Sequence, residues 1–183
     1  MKENRVKVRN YGRIPGNDGR LVAVPTKAGA APQRLHWAAA AALDELRQAA
    51  EGAGYDLRVV SGWRKHKWLG REDYEAHLIR RYGSVKRGRK WLAYDSPHET
   101  GLAFDLGTHG LEPRSATASY QKQQPVYAWL EKHAARFGIT PYIPEPWHWE
   151  VKIPKLLWIA PGPGAPLVLA LVAAAAVVYY YVS

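Results

Sequence analysis

Two short stretches about forty residues apart constrain this chain more than any others: SPHETGLAFD at residues 96–105 and EPWHWE at residues 145–150. Each pairs a histidine with carboxylates at short range. A catalytic zinc takes three protein ligands and leaves its fourth tetrahedral position to water. His98, Asp105 and His148 offer two nitrogens and one oxygen for such a site. His98 lies in the glycine-punctuated entry to a short apolar segment, GLAFDLG, which can bring it back beside Asp105. His148 belongs to a distant element, so closing the site would also crosslink the fold. The chain has no cysteine, which excludes a disulfide framework and a thiolate cage. Any metal must therefore be held by imidazole and carboxylate, a donor set that favours catalysis over a structural role.

Hydrolysis also needs a base that is not a ligand, and Glu145 stands three residues before His148. On a flat strand, positions three apart face opposite ways, so the chain must bend for both to address one water. Pro144 and Pro146 make a regular strand there unfavourable. Glu150, two positions after His148, shares that residue's strand face and stays open as a rival base. His109, four residues after Asp105, is a candidate for the cleft wall. His36, His66, His77 and His133 read as packing or surface histidines, and Asp95 and Glu99 as solvated or capping acids. Trp147 and Trp149 read as core or cleft wall.

With 183 residues, 47% of them hydrophobic, there is material for one domain and little for a second. Residues 1–31 read as an arm or hairpin, with Val6 and Val8 alternating as in a short strand and PGNDG marking a turn. A helix is expected over residues 32–51, with Leu35, Ala39, Leu43 and Leu46 at helical spacing. A strand over 56–61, a helix over 71–82, the buried strand GLAFDLG, a helix over 125–137 and a final strand, WHWEVKI, follow. The strands are few and short, so the expected class is α+β, with a small, largely antiparallel sheet and flanking helices. The domain is expected to occupy residues 32–155. A Pro/Gly-rich linker at 156–166 then leads to an apolar C-terminal helix at 167–183. Sixteen uninterrupted apolar or aromatic residues, 167–182, would make a helix of about 24 Å, near the lower limit for a membrane span.

SPHETGLAFD resembles the S-x-H-x-x-G-x-A-x-D signature of the zinc D-Ala-D-Ala carboxypeptidase and dipeptidase family, the LAS metallopeptidases, which share their fold with the hedgehog N-terminal domain. EPWHWE resembles that family's E-x-x-H element, nearest to the vancomycin-resistance type, and SGWR at residues 61–64 resembles its S-G-aromatic-R strand end. The three motifs fall in the family's order across about residues 35–151. The resemblance implies that His98, Asp105 and His148 bind Zn2+, that Glu145 is the base, and that Arg64 contacts substrate. Ser96 would help to orient the site. A glutamine that family members often carry after S-G-aromatic-R is missing from KHKWLGRE.

The formal charge of +10 suits an anionic partner, and neither basic cluster, RKHK or KRGRK, matches a nucleic-acid module. No specific nucleic-acid partner is therefore expected. The implied activity is zinc-dependent hydrolysis of peptidoglycan stem peptides, foremost removal of a terminal D-alanine. A phage-type L-Ala-D-Glu endopeptidase (an endolysin) is one alternative. The other is a non-catalytic, membrane-anchored module with a structural metal. The N-terminal residues contain no apolar h-region, so no cleaved signal is expected. Membrane association through residues 167–182 is expected, yet positive charge before that run places the domain on the cytoplasmic side, away from a cell-wall substrate. Release through membrane lesions would reconcile the two.

Overall fold

The computed structural model describes residues 5–162, and the expected apolar helix at 167–183 lies outside them. Among the described residues, no helix is long and apolar enough to cross a membrane. The class is α+β, with two antiparallel sheets and flanking helices. A short helix, α1 (Val8–Tyr11), opens the described chain where alternation suggested a strand. Val6, Tyr11 and Ile14 nonetheless bury their side chains in the main core. Strand β1 (Leu21–Val24) then pairs antiparallel with β2 (Gln33–His36).

That pairing changes the expected helix at 32–51. Its first residues are drawn into β2, and α2 covers Trp37–Glu51. His36 makes the junction, because its Nδ1 accepts the Ala38 N–H and caps the helix. Ala39, Leu43, Leu46 and Ala50 of α2 face the core at helical spacing.

The second sheet has four strands in the order β3 (Val59–Ser61), β4 (Ala103–Leu106), β6 (His148–Val151), β5 (Ile139–Pro141), with every neighbouring pair antiparallel. A parallel bridge between Thr26, just past β1, and Val59 of β3, together with the Trp63 N–H on the Arg34 carbonyl of β2, ties it to the first sheet. β4 and β6 are the inner strands and are buried along their whole length. They are thus framed by backbone hydrogen bonds on both edges, which makes them the rigid part of the molecule.

Between β3 and β4 lie α3 (Arg71–Tyr82) and α4 (Val85–Gly88), which form a lobe around a second, smaller core of Trp68, Tyr74 and Leu78. A 3₁₀ turn, Pro97–Thr100, enters β4. After β4 come α5 (Ala118–Gln121) and α6 (Pro125–His133). The expected helix at 125–137 is α6 continued by a separate 3₁₀ turn, Ala134–Phe137, which ends at Gly138 in the left-handed conformation. A last short helix, α7 (Lys155–Ile159), packs Leu157 and Trp158 inward.

Candidate metal centre

Strand register builds two thirds of the site. Asp105 on β4 lies directly opposite His148 on β6 and also opposite Ser61 on β3. Residues opposed in this way carry their side chains on one face, with Cβ atoms about 4.5–5.5 Å apart. The third group, His98, comes from the 3₁₀ turn. Glu99 fixes that turn by accepting the Ser96 N–H on its Oε1, a contact of 3.1 Å. Gly101 ends the turn at φ +71, pressed so close to β2 that a Cβ there would stand 2.9 Å from the His36 nitrogen.

The three donor atoms form a compact triangle. His148 Nδ1 lies 2.9 Å from Asp105 Oδ1, His98 Nε2 lies 3.2 Å from His148 Nδ1, and His98 Nε2 lies 3.3 Å from Asp105 Oδ1. Ligands about 2.0–2.1 Å from a tetrahedral zinc stand roughly 3.3–3.4 Å from one another. The observed edges are therefore nearly those of one face of a zinc tetrahedron, and the residues fit such an ion. All three side chains are almost wholly buried.

Partners behind the donors fix their orientation. His98 Nδ1 donates to the Gly62 carbonyl at 2.6 Å, which leaves the Nε2 lone pair facing the triangle. His148 Nε2 donates to Glu150 Oε1 at 3.1 Å, which leaves Nδ1 for the triangle. Histidine ligands commonly give their second ring nitrogen to a carbonyl or a carboxylate, which sets the tautomer and raises basicity. The buried charges also shift the three groups. Burial alone would raise Asp105, but the two imidazoles beside it overcome this and hold the carboxyl far below its usual range. Burial alone would lower His148, but Asp105 and Glu150 outweigh it and push the imidazole up to about 9. Burial keeps His98 below its ordinary value.

Glu145 follows a tight bend. Its N–H donates to the Tyr142 carbonyl, and its own carbonyl accepts the His148 N–H at 2.8 Å, so both side chains reach the same cleft. Partial burial raises the Glu145 carboxyl above its normal value. Arg64 also lines the cleft, three residues past the end of β3, with its N–H on the His98 carbonyl. Its side chain forms no ion pair with a described residue. Ser96 also lines this cleft, at the N-cap of the turn that carries His98.

The remaining candidates go elsewhere. Glu150 is engaged by His148, by Arg5 and by the Val6 N–H, and so stands behind the ligand rather than in the cleft. His109 is not a cleft residue. It borders a separate cavity with Asp56, Thr108 and Gln121, and its Nε2 accepts the Asp56 N–H. Glu99 is not solvated but 4% exposed, and its capping role is the one the structure carries. Sequence reasoning missed Arg5 and Arg13 entirely, because a single arginine in a basic arm has no pattern to mark it. Glu150's place behind His148 did have a signal, the i, i+2 spacing that puts both on one strand face.

A family model for VanY, described as a D-alanyl-D-alanine carboxypeptidase, matches residues 32–152. The chain belongs to the VanY family. The match begins at the entry to β2 and ends just after β6, so it contains every member of the donor triangle. A curated relative from Bacillus subtilis (strain 168), named "Putative carboxypeptidase YodJ", is 32% identical. That alignment covers 60% of this chain and 43% of the relative, so it spans less than half of the relative's length. The solved structure of the LD-carboxypeptidase LdcB superposes with a TM-score of 0.58 at 24% identity, covering 89% of this chain and 77% of the other, a likeness of fold.

Proposed function

We propose that this VanY-family chain is a zinc-dependent carboxypeptidase that removes the terminal D-alanine from peptidoglycan stem peptides. The observation that carries the reading is the buried triangle of His98, Asp105 and His148 with Glu145 and Arg64 on the same cleft. A donor set of two imidazoles and one carboxylate is typical of catalytic zinc. When bound, the ion would polarise the scissile carbonyl and lower the pKa of water.

The protein's own groups supply the rest. Asp105, with the ring orientations set by Gly62 and Glu150, holds the two imidazoles in place. Glu145 takes a proton from the attacking water and returns it to the departing D-alanine amine; its burial-raised pKa brings it closer to the pH at which both transfers are efficient. Arg64 binds the substrate carboxylate or the oxyanion that develops at the scissile carbonyl, tasks suited to a fixed guanidinium. An anionic substrate agrees with the lobe beside the cleft, where residues 64–92 hold ten lysines and arginines against three acids. Of these, Lys65, Lys67, Arg89 and Lys90 line the cleft itself.

The test is mass spectrometry of pentapeptide muropeptides incubated with the full chain, with and without chelator. Chelator-sensitive loss of one alanine is expected. Cleavage between L-Ala and D-Glu would replace this reading with the endopeptidase, and bound zinc without turnover would replace it with the non-catalytic module.

A further inference from the structure

We propose that the segment ahead of the family match is a working part of the metal centre, in which Arg5 and Arg13 act as positioning residues for the two histidines. Each arginine reaches a buried glutamate: Arg5 reaches Glu150, which holds the ring of His148, and Arg13 reaches Glu99, the neighbour of His98 in the 3₁₀ turn. Arg5 donates to Glu150 Oε1 through Nε at 3.1 Å and Nη2 at 2.9 Å, while the Val6 N–H donates to Oε2 at 2.6 Å. Glu150 in turn holds His148 Nε2. Arg13 donates through Nε to Glu99 Oε2 at 2.7 Å, and the Ile14 N–H donates to the Glu99 carbonyl at 2.9 Å. Glu99 braces the 3₁₀ turn in which it follows His98. The two side chains so held are among the most deeply buried acids, Glu150 at 4% exposed and Glu99 at 5%.

Burial explains why the arginines matter. A carboxylate taken out of water needs charge-assisted hydrogen bonds to hold one orientation, and removing its partner leaves an uncompensated buried charge. Arg5 is itself pinned, with its guanidinium 3.7 Å above the Tyr142 ring. The segment is anchored independently by the buried side chains of Val6, Tyr11 and Ile14 and by the Tyr11 hydroxyl, which donates to the Ile153 carbonyl. Arg13 also explains why a second acid and histidine group, His66, Asp95 and Glu99, carries no metal reading. The guanidinium already bridges both carboxylates.

This inference rests on the metal reading of His98, Asp105 and His148, not on which peptide is cleaved. Its test is therefore zinc affinity, measured on the full chain by competition with a chromophoric chelator. Arg5→Ala is expected to weaken zinc binding about 10- to 100-fold, the range seen when a group behind a ligand is lost. The sign is diagnostic, because simple Coulomb repulsion predicts that deleting a positive charge strengthens cation binding. Arg9→Ala, at an exposed site on the same segment, is expected to change affinity less than twofold. Arg5→Lys should recover part of the loss, since it keeps the charge but not the fork. If Arg5→Ala is too unstable to study, Arg5→Gln is put through the same chelator competition, where a loss of zinc affinity of about tenfold or more is expected. Zinc affinity in Arg5→Ala, or in Arg5→Gln where that variant replaces it, equal to or above that of the wild type overturns the inference. Wild-type protein that binds no zinc overturns the metal centre itself.

Discussion

Asp105 and His148 face each other across two adjacent antiparallel strands, with Oδ1 and Nδ1 2.9 Å apart. This is a consequence of register, since a slip of one residue would send one of the two to the opposite face of the sheet. The strands that hold them are buried on both sides and paired on both edges. The distance between the two donors is therefore set by the most constrained part of the backbone, and only His98 depends on a turn.

Replacing Glu145 with Gln keeps the side chain's shape and removes its proton-accepting function. Because Glu145 is not a member of the donor triangle, zinc affinity should stay close to that of the wild type. Turnover of a pentapeptide muropeptide should fall about 10²-fold or more, as expected for loss of a general base. A variant with near-normal turnover would mean that the base is another residue.

Arg64→Ala removes a guanidinium that no described side chain pairs with. Hydrogen bonds to charged groups contribute about 1.5–3 kcal/mol, so kcat/KM should fall roughly 10- to 100-fold. Loss through KM would indicate binding of a ground-state carboxylate, and loss through kcat would indicate stabilisation of the developing oxyanion. Steady-state kinetics that match the wild type in both parameters would remove Arg64 from the substrate site.

Much of this site can be read from the chain because its donors sit on short elements with strong local signals. GLAFDLG is glycine-bounded and apolar enough to mark β4, and Pro144 and Pro146 reveal the bend that lets Glu145 and His148 address one cleft. The first turn of the expected helix at 32–51 was misread because pairing with β1 captures residues 33–36, a tertiary choice that helical spacing cannot reveal. Val6 and Val8 look like a strand in isolation, yet Val8 opens α1, and Val6 is held by burial in the core and by its N–H on the Glu150 carboxylate. The contacts from Arg5 to Glu150 and from Arg13 to Glu99 span 145 and 86 residues, and nothing local encodes them.

Gly62 is needed for close approach. A Cβ there would stand 2.5 Å from the Arg34 carbonyl oxygen, a backbone atom that cannot easily yield. The same residue donates its N–H to Gln33 and accepts the His98 Nδ1–H. Gly62→Ala should therefore destabilise the fold by about 1–3 kcal/mol, as overpacking does, and should weaken zinc binding by displacing the carbonyl that orients His98. Urea unfolding and chelator competition on the same preparation read both effects. Wild-type values for the two would show that the backbone relaxes freely at this point.

Stability should depend on pH through His36, which is fully buried between β2 and α2. Its neutral form satisfies both ring nitrogens, with Nδ1 accepting the Ala38 N–H and Nε2 donating to the Trp158 carbonyl. Protonation would destroy the acceptor, and burial accordingly lowers this imidazole to about 4. The unfolded chain titrates near 6.5, so between about 4 and 6.5 it binds the proton that the folded chain refuses. The His36 contribution is therefore fully present above about pH 6.5 and falls away as the pH drops towards 4, by about 3 kcal/mol in all. Asn at this position keeps a capping oxygen without a titrating ring. Urea unfolding at pH 7 and at pH 4.5 should then show a smaller loss for His36→Asn than for the wild type. Equal losses in the two proteins would assign the acid sensitivity to other groups.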